Sequence, residues 1–142
     1  MSWPSRLPEN LISNTFIKFC LIGVFNGIVG FSIILSFLYI FQVNYLISNS
    51  LGYLGGIITS FILNKYVNFR SDGQIVFEFP VFIASFAIAY LADMLVLSFL
   101  VEILQVRQIV GLVMAAAVYT VLFYFLSRFI VFKKGSPAPI FR

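Results

Sequence analysis

"FILNKYVNFR" (residues 61–70) ends an apolar run with Asn64 and Lys65, followed by Tyr66, Phe69 and Arg70, and "YFLSRFIVFKK" (124–134) ends a second run in nearly the same way. Both lie in a chain that is 61% hydrophobic, only 10% charged and rich in Phe, with a mean hydropathy of +1.05. A soluble domain is about one quarter charged, so this composition describes an integral membrane protein. The two signatures mark places where apolar segments leave the hydrocarbon.

Four apolar blocks, 19–41, 45–63, 79–101 and 109–132, each come close to or exceed the roughly 20 residues that a helix needs to cross about 30 Å of hydrocarbon. The sequence therefore predicts an all-α membrane protein. A single transmembrane domain fills residues 1–142, with helices over about 16–41, 45–64, 77–101 and 107–132. The first block is too long for a signal-peptide core and no small-residue cleavage site follows it, so it is expected to be retained. Arg6, Lys18, Lys65, Arg70, Arg128, Lys133, Lys134 and Arg142 then fall on one side of the membrane and only Arg107 on the other. Basic residues collect in short cytoplasmic segments, which predicts cytoplasmic N- and C-termini. The joins 42–44 and 102–108 should face outward.

The chain also repeats. At an offset of 63 residues, Phe16 and Phe19 fall on Phe79 and Phe82, and Asn64, Lys65, Tyr66 and Phe69 fall on Ser127, Arg128, Phe129 and Phe132. Each copy holds two spans, an even number, so both insert the same way round. The expected architecture is a parallel tandem repeat of two-helix hairpins.

These residues resemble the GtrA-like family of small four-helix membrane proteins. Its signature, F-x-x-[NS]-[RK]-x-x-[VN]-F, is met here by Phe61-Ile-Leu-Asn64-Lys65-Tyr-Val-Asn68-Phe69 and again by Tyr124-Phe-Leu-Ser127-Arg128-Phe-Ile-Val131-Phe132. The stretch "FIKFCLIGVFNGIVGF" (16–31) is similar to the family's F-x-x-x-G-x-x-N opening, and the likeness covers about residues 14–134. The resemblance implies a flippase-type protein of the bacterial cytoplasmic membrane. Its cargo would be a polyprenyl-phosphate-linked monosaccharide, moved for later transfer to a cell-surface polysaccharide. The second copy departs from the first, with Ser127 for Asn64 and Tyr124 for Phe61, so the two half-sites should contribute unequally.

The residues themselves are compatible with such a cargo. A lipid-linked phosphosugar presents a phosphate at the interface, an apolar tail in lipid and a polar sugar that has to pass through hydrocarbon. Lys65 and Arg128 are the first candidates for the phosphate, with Lys18 and Arg70 in support. The alternative is that these cations only fix topology and snorkel to the surface. Asn64 and Ser127, beside the two main cations, are candidates for the sugar or its phosphate.

Within the spans, Gly23, Asn26, Gly27 and Gly30 recur at helical spacing, as do Gly52, Gly55, Gly56, Thr59, Ser60 and Asn64. Faces of small residues allow close helix packing, with polar side chains bonding across. Asn26 lies about ten residues, or roughly 15 Å, into its helix, and either glues helices together or meets the sugar. Asp93 is the clearest polar signal, because a carboxylate in a span costs at least about 2.5 kcal/mol to insert and by default has a role. With Tyr90 one turn earlier it could bind sugar hydroxyls or exchange a proton during transport. A purely structural bond to Asn26 or a serine is the other possibility.

Nothing in the sequence points to an enzyme. There is no histidine, Cys20 is the only cysteine, and the glycines lie in apolar helices rather than in a phosphate-cradling loop. No cofactor, no metal and no nucleic acid is expected; the net charge of +4 reflects topology and anionic membrane lipid. A non-transporting scaffold for a polyprenyl-phosphate glycosyltransferase is a second reading, and a small-molecule exporter a third. The exporter is disfavoured because Gly30 occupies, in helix one, the repeat position of Asp93. Four helices form a thin wall around a lipid-linked sugar, so a homodimer is expected. Trp3 should anchor an interfacial lead-in, and neither that segment nor the tail 136–142 should be needed for transport.

Overall fold

A computed structural model describes residues 9–133 of the chain. Trp3, the tail 136–142, Arg6, Lys134 and Arg142 lie outside the described residues. Four α-helices run in sequence: α1 (Glu9–Leu35), α2 (Tyr45–Leu63), α3 (Ile75–Ser98) and α4 (Gln108–Leu126). Each continues into a π-helical turn: π1 (Ser36–Ile40), π2 (Asn64–Phe69), π3 (Phe99–Ile103) and π4 (Ser127–Val131). With these turns included, all four are long and apolar enough to cross a membrane. A lipid-facing helix satisfies its backbone internally, so hydropathy alone suffices to form each span. The first helix begins at Glu9, ahead of the expected start near residue 16, because the polar stretch 9–15 continues the helical path beyond the apolar block.

The chain divides into two compact units, Met1–Arg70 and Ser71–Arg142, each a helical hairpin. Their elements match at the same offset of 63 residues that relates the signatures: π1 corresponds to π3, α2 to α4 and π2 to π4. The correspondence extends to single backbone groups. Gln42 (φ 52°) and Gln105 (φ 50°) both adopt the left-handed conformation that turns the chain between helices. On either side of that turn, Phe41 N–H donates to Ser36 O and Leu104 N–H to Phe99 O, at 3.2 and 3.1 Å. The turns differ at the next step, where Asn44 accepts from Leu46 N–H at 2.8 Å and caps α2, while its counterpart Arg107 makes no side-chain cap.

The first hairpin closes on small residues. Ser48, Gly52, Gly56, Ser60, Asn64 and Asn68 recur every four residues along α2 and π2, and all are buried. The approach is closest at Gly52, where an added Cβ would lie 2.2 Å from Ile34 Cγ1 and 2.7 Å from the Gly30 carbonyl oxygen. Of the four positions grouped on α1, only Asn26 and Gly30 face α2; Gly23 and Gly27 are exposed, and a Cβ on either would meet nothing within 4 Å. Residues four apart share one row of a helix face, and those one residue over belong to the next row.

The second hairpin closes on aromatic rings instead. Phe82 of α3 lies 5.1 Å from Phe123 and 5.9 Å from Phe132, ring centre to ring centre. Phe86 meets Tyr119 and Phe123 edge-on at 6.1 and 5.9 Å. The loop before α3 is tied by Glu78, which is buried in the first turn and accepts from the Ser71 hydroxyl; that hydroxyl oxygen accepts in turn from Gly73 N–H at 3.2 Å. A carboxylate there also suits the positive end of the helix dipole.

Candidate functional site

At the basic end of the first hairpin, π2 carries Lys65 with only 2% of its surface exposed. Taking an ammonium out of water is expensive unless it is compensated, so a lysine that only marked topology would be expected to reach solvent. Its Nζ stands 5.6 Å from the centre of the Tyr66 ring, a cation–π distance. Lys18 on α1 and Arg70 after π2 are both exposed. Arg70 ends the π-turn in the left-handed conformation, with φ 49°. Of the four candidate phosphate ligands, Lys65 alone is enclosed in this way.

Beside Lys65 runs a chain of amides. Asn64 Nδ2 donates to the Ser60 carbonyl oxygen at 2.9 Å and to Ser60 Oγ at 3.4 Å. Asn68 Nδ2 donates to Asn64 Oδ1 at 3.1 Å. Both hydrogens of the Asn64 amide are thus directed along α2, and Asn64 acts by holding Asn68. The chain ends in Asn68 Oδ1, a buried acceptor without a hydrogen-bond partner.

The second hairpin repeats the position with different chemistry. Ser127 is fully buried and its Oγ has no partner. Arg128 is half-buried, donates to the Tyr124 hydroxyl at 2.7 Å and lies over the Tyr124 and Phe129 rings at 5.9 and 5.8 Å. Its charge is therefore spread across a hydroxyl and two ring faces, while Lys65 stands beside an amide chain. The two repeat positions thus differ in geometry as well as in sequence.

Deeper in the spans, Asn26 packs its amide on Gly56, where an added Cβ would lie 3.2 Å from Asn26 Oδ1. That oxygen, too, is buried without a partner. The positions equivalent to Asn26 and Gly56 are Ala89 and Tyr119, so large and small exchange sides between the hairpins. Asp93 is half-buried on α3. Tyr90, expected to accompany Asp93, is 49% exposed and stacks parallel to Phe86 at 6.3 Å.

Asn68 and Tyr124 were not singled out by their chemistry in the sequence. A signal existed for each. Asn68 follows Asn64 by four residues, and Tyr124 precedes Arg128 by four.

A family model described as GtrA/DPMS, transmembrane domain, matches residues 18–132. No curated protein and no solved structure gives a significant match.

Proposed function

The chain belongs to the GtrA/DPMS transmembrane-domain family, and from that premise we propose that it carries a polyprenyl-phosphate-linked monosaccharide across the bacterial cytoplasmic membrane for cell-surface polysaccharide glycosylation. The observation that supports this most is the enclosure of Lys65 next to a chain of amides at the end of a span, with a second cation, Arg128, at the repeat position. A phosphate suits a lysine or arginine through charge-assisted hydrogen bonds. Aromatic rings beside both cations, Tyr66, Tyr124 and Phe129, suit headgroup depth. The protein works as a homodimer in this reading.

The test is reconstitution. Proteoliposomes loaded with a labelled polyprenyl phosphosugar are scored by the access of a membrane-impermeant reagent to the outer leaflet. Wild-type protein should expose the lipid faster than protein-free liposomes; equal rates would remove the proposal.

Asp93 separates transport from a scaffold role in the same assay. A scaffold needs its cytoplasmic surface and no acid inside a span. Asp93→Asn keeps the shape and removes the acid, so translocation should fall by about tenfold while membrane insertion stays normal, in line with roughly 1.4 kcal/mol for one hydrogen bond. Wild-type transport by this variant would favour the scaffold.

A further inference from the structure

We propose that Asn68 reads a ring hydroxyl of the sugar, its Oδ1 accepting from a hydroxyl close to the lipid phosphate. The inference rests on the translocation reading above and assigns a specificity-determining residue within it. Asn68 is only 6% exposed, and its Oδ1 has no hydrogen-bond partner. The orientation of this amide is fixed from behind. Ser60 offers a carbonyl oxygen, which only accepts, so Asn64 turns its NH2 toward Ser60 and its Oδ1 toward Asn68. Asn68 must then present NH2 to Asn64 and leave its own carbonyl oxygen as the free end of the chain.

A free acceptor selects its ligand. Phosphate oxygens are acceptors and gain nothing from it, whereas a sugar hydroxyl is a donor. Lys65, three residues earlier on the same π-turn and itself buried, has the complementary preference for the phosphate. The two side chains therefore divide one ligand between them, with cation to phosphate and carbonyl to hydroxyl. Leaving a buried acceptor unmet costs about 1–3 kcal/mol, and the repeat offers a way to avoid that cost, because the equivalent position is Val131, an apolar residue buried without difficulty. The second hairpin is thus built without this acceptor, and sugar selection falls to the first. Because Oδ1 is covered, a hydroxyl reaches it by a shift of π2 against α1, its packing neighbour.

The full-length protein in nanodiscs is tested for equilibrium binding of polyprenyl phosphate and of the same lipid carrying a hexose. The wild type should bind the phosphohexose about tenfold more tightly than the bare phosphate, the factor that one good hydrogen bond supplies. Asn68→Val, which imposes the second copy's residue on the first, should abolish that ratio by bringing the phosphohexose to the affinity of the bare phosphate. In the wild type, phosphohexoses lacking one ring hydroxyl at a time should include one whose affinity falls to that of bare phosphate; this arm needs no variant to fold. A ratio that persists in Asn68→Val, or a deoxy series that is flat, overturns the role of Asn68 while leaving translocation standing. Failure to bind either lipid overturns both.

Discussion

Lys65→Gln should lower translocation of the lipid-linked sugar by about tenfold or more, with expression, insertion and orientation unchanged. A hydrogen bond to a charged group contributes about 1.5–3 kcal/mol, and loss of the charge removes that contribution at the phosphate. The other basic residues of the chain keep the topological bias, so a pure positive-inside marker would tolerate the change. Burial sharpens the contrast: with 2% exposure, Lys65 is enclosed rather than snorkelling. Lys65→Arg discriminates further, since a marker accepts either cation while an enclosed ammonium site has to accommodate a larger, planar guanidinium. Arg128→Gln should be damaging as well. Asn64→Ala should approach the Lys65→Gln phenotype by releasing Asn68. Ser127→Ala should be mild, since it removes a hydroxyl that has no partner. Wild-type rates in both Gln variants would reduce the repeated signature to a topology marker and favour the scaffold.

Gly52→Val should break the first hairpin. Its Cβ would fall 2.7 Å from a backbone oxygen of α1, that of Gly30, as well as 2.2 Å from Ile34 Cγ1. A flexible side chain can swing away, but a helix backbone can yield only by separating the two helices. Overpacking of a tight contact costs about 1–3 kcal/mol, occasionally more, and a backbone clash belongs at the upper end, so a loss of about 3 kcal/mol is expected. Thermal unfolding in mild detergent reads it as a lowered midpoint. Gly23→Ala and Gly27→Ala are the controls, with nothing within 4 Å of the added carbon; both should keep the wild-type midpoint. A Gly52→Val protein as stable as the wild type would show that α1 and α2 do not meet at Gly30 and Gly52.

The four spans and the repeat were legible in the sequence for a local reason. Each helix satisfies its own backbone and each apolar block is long enough to cross hydrocarbon, so composition along the chain determines the elements without knowledge of their neighbours. The 63-residue offset read from Phe19, Asn64 and Lys65 against Phe82, Ser127 and Arg128 carries over to the helices, the π-turns and the two left-handed glutamines. Sequence also located the polar groups, Asn26, Asn64, Lys65, Asp93 and Ser127, because any such group in an apolar run stands out.

Facing, enclosure and partnership were decided by tertiary structure alone. Gly23, Asn26, Gly27 and Gly30 share a helical spacing, yet only Asn26 and Gly30 turn toward α2, since spacing defines a face and not which face meets a neighbour. Lys18, Lys65 and Arg70 are all cations at one end of a hairpin, and packing encloses Lys65 while leaving the other two exposed. Tyr90, one turn before Asp93 in sequence, stacks on Phe86. Contacts between helices depend on rotation about each axis, and a π-turn at the end of every span alters that rotation by widening the hydrogen-bond ring from i+4 to i+5. That rotation is fixed only when two helices pack together, which is why the polar residues could be read from the chain and their pairing could not.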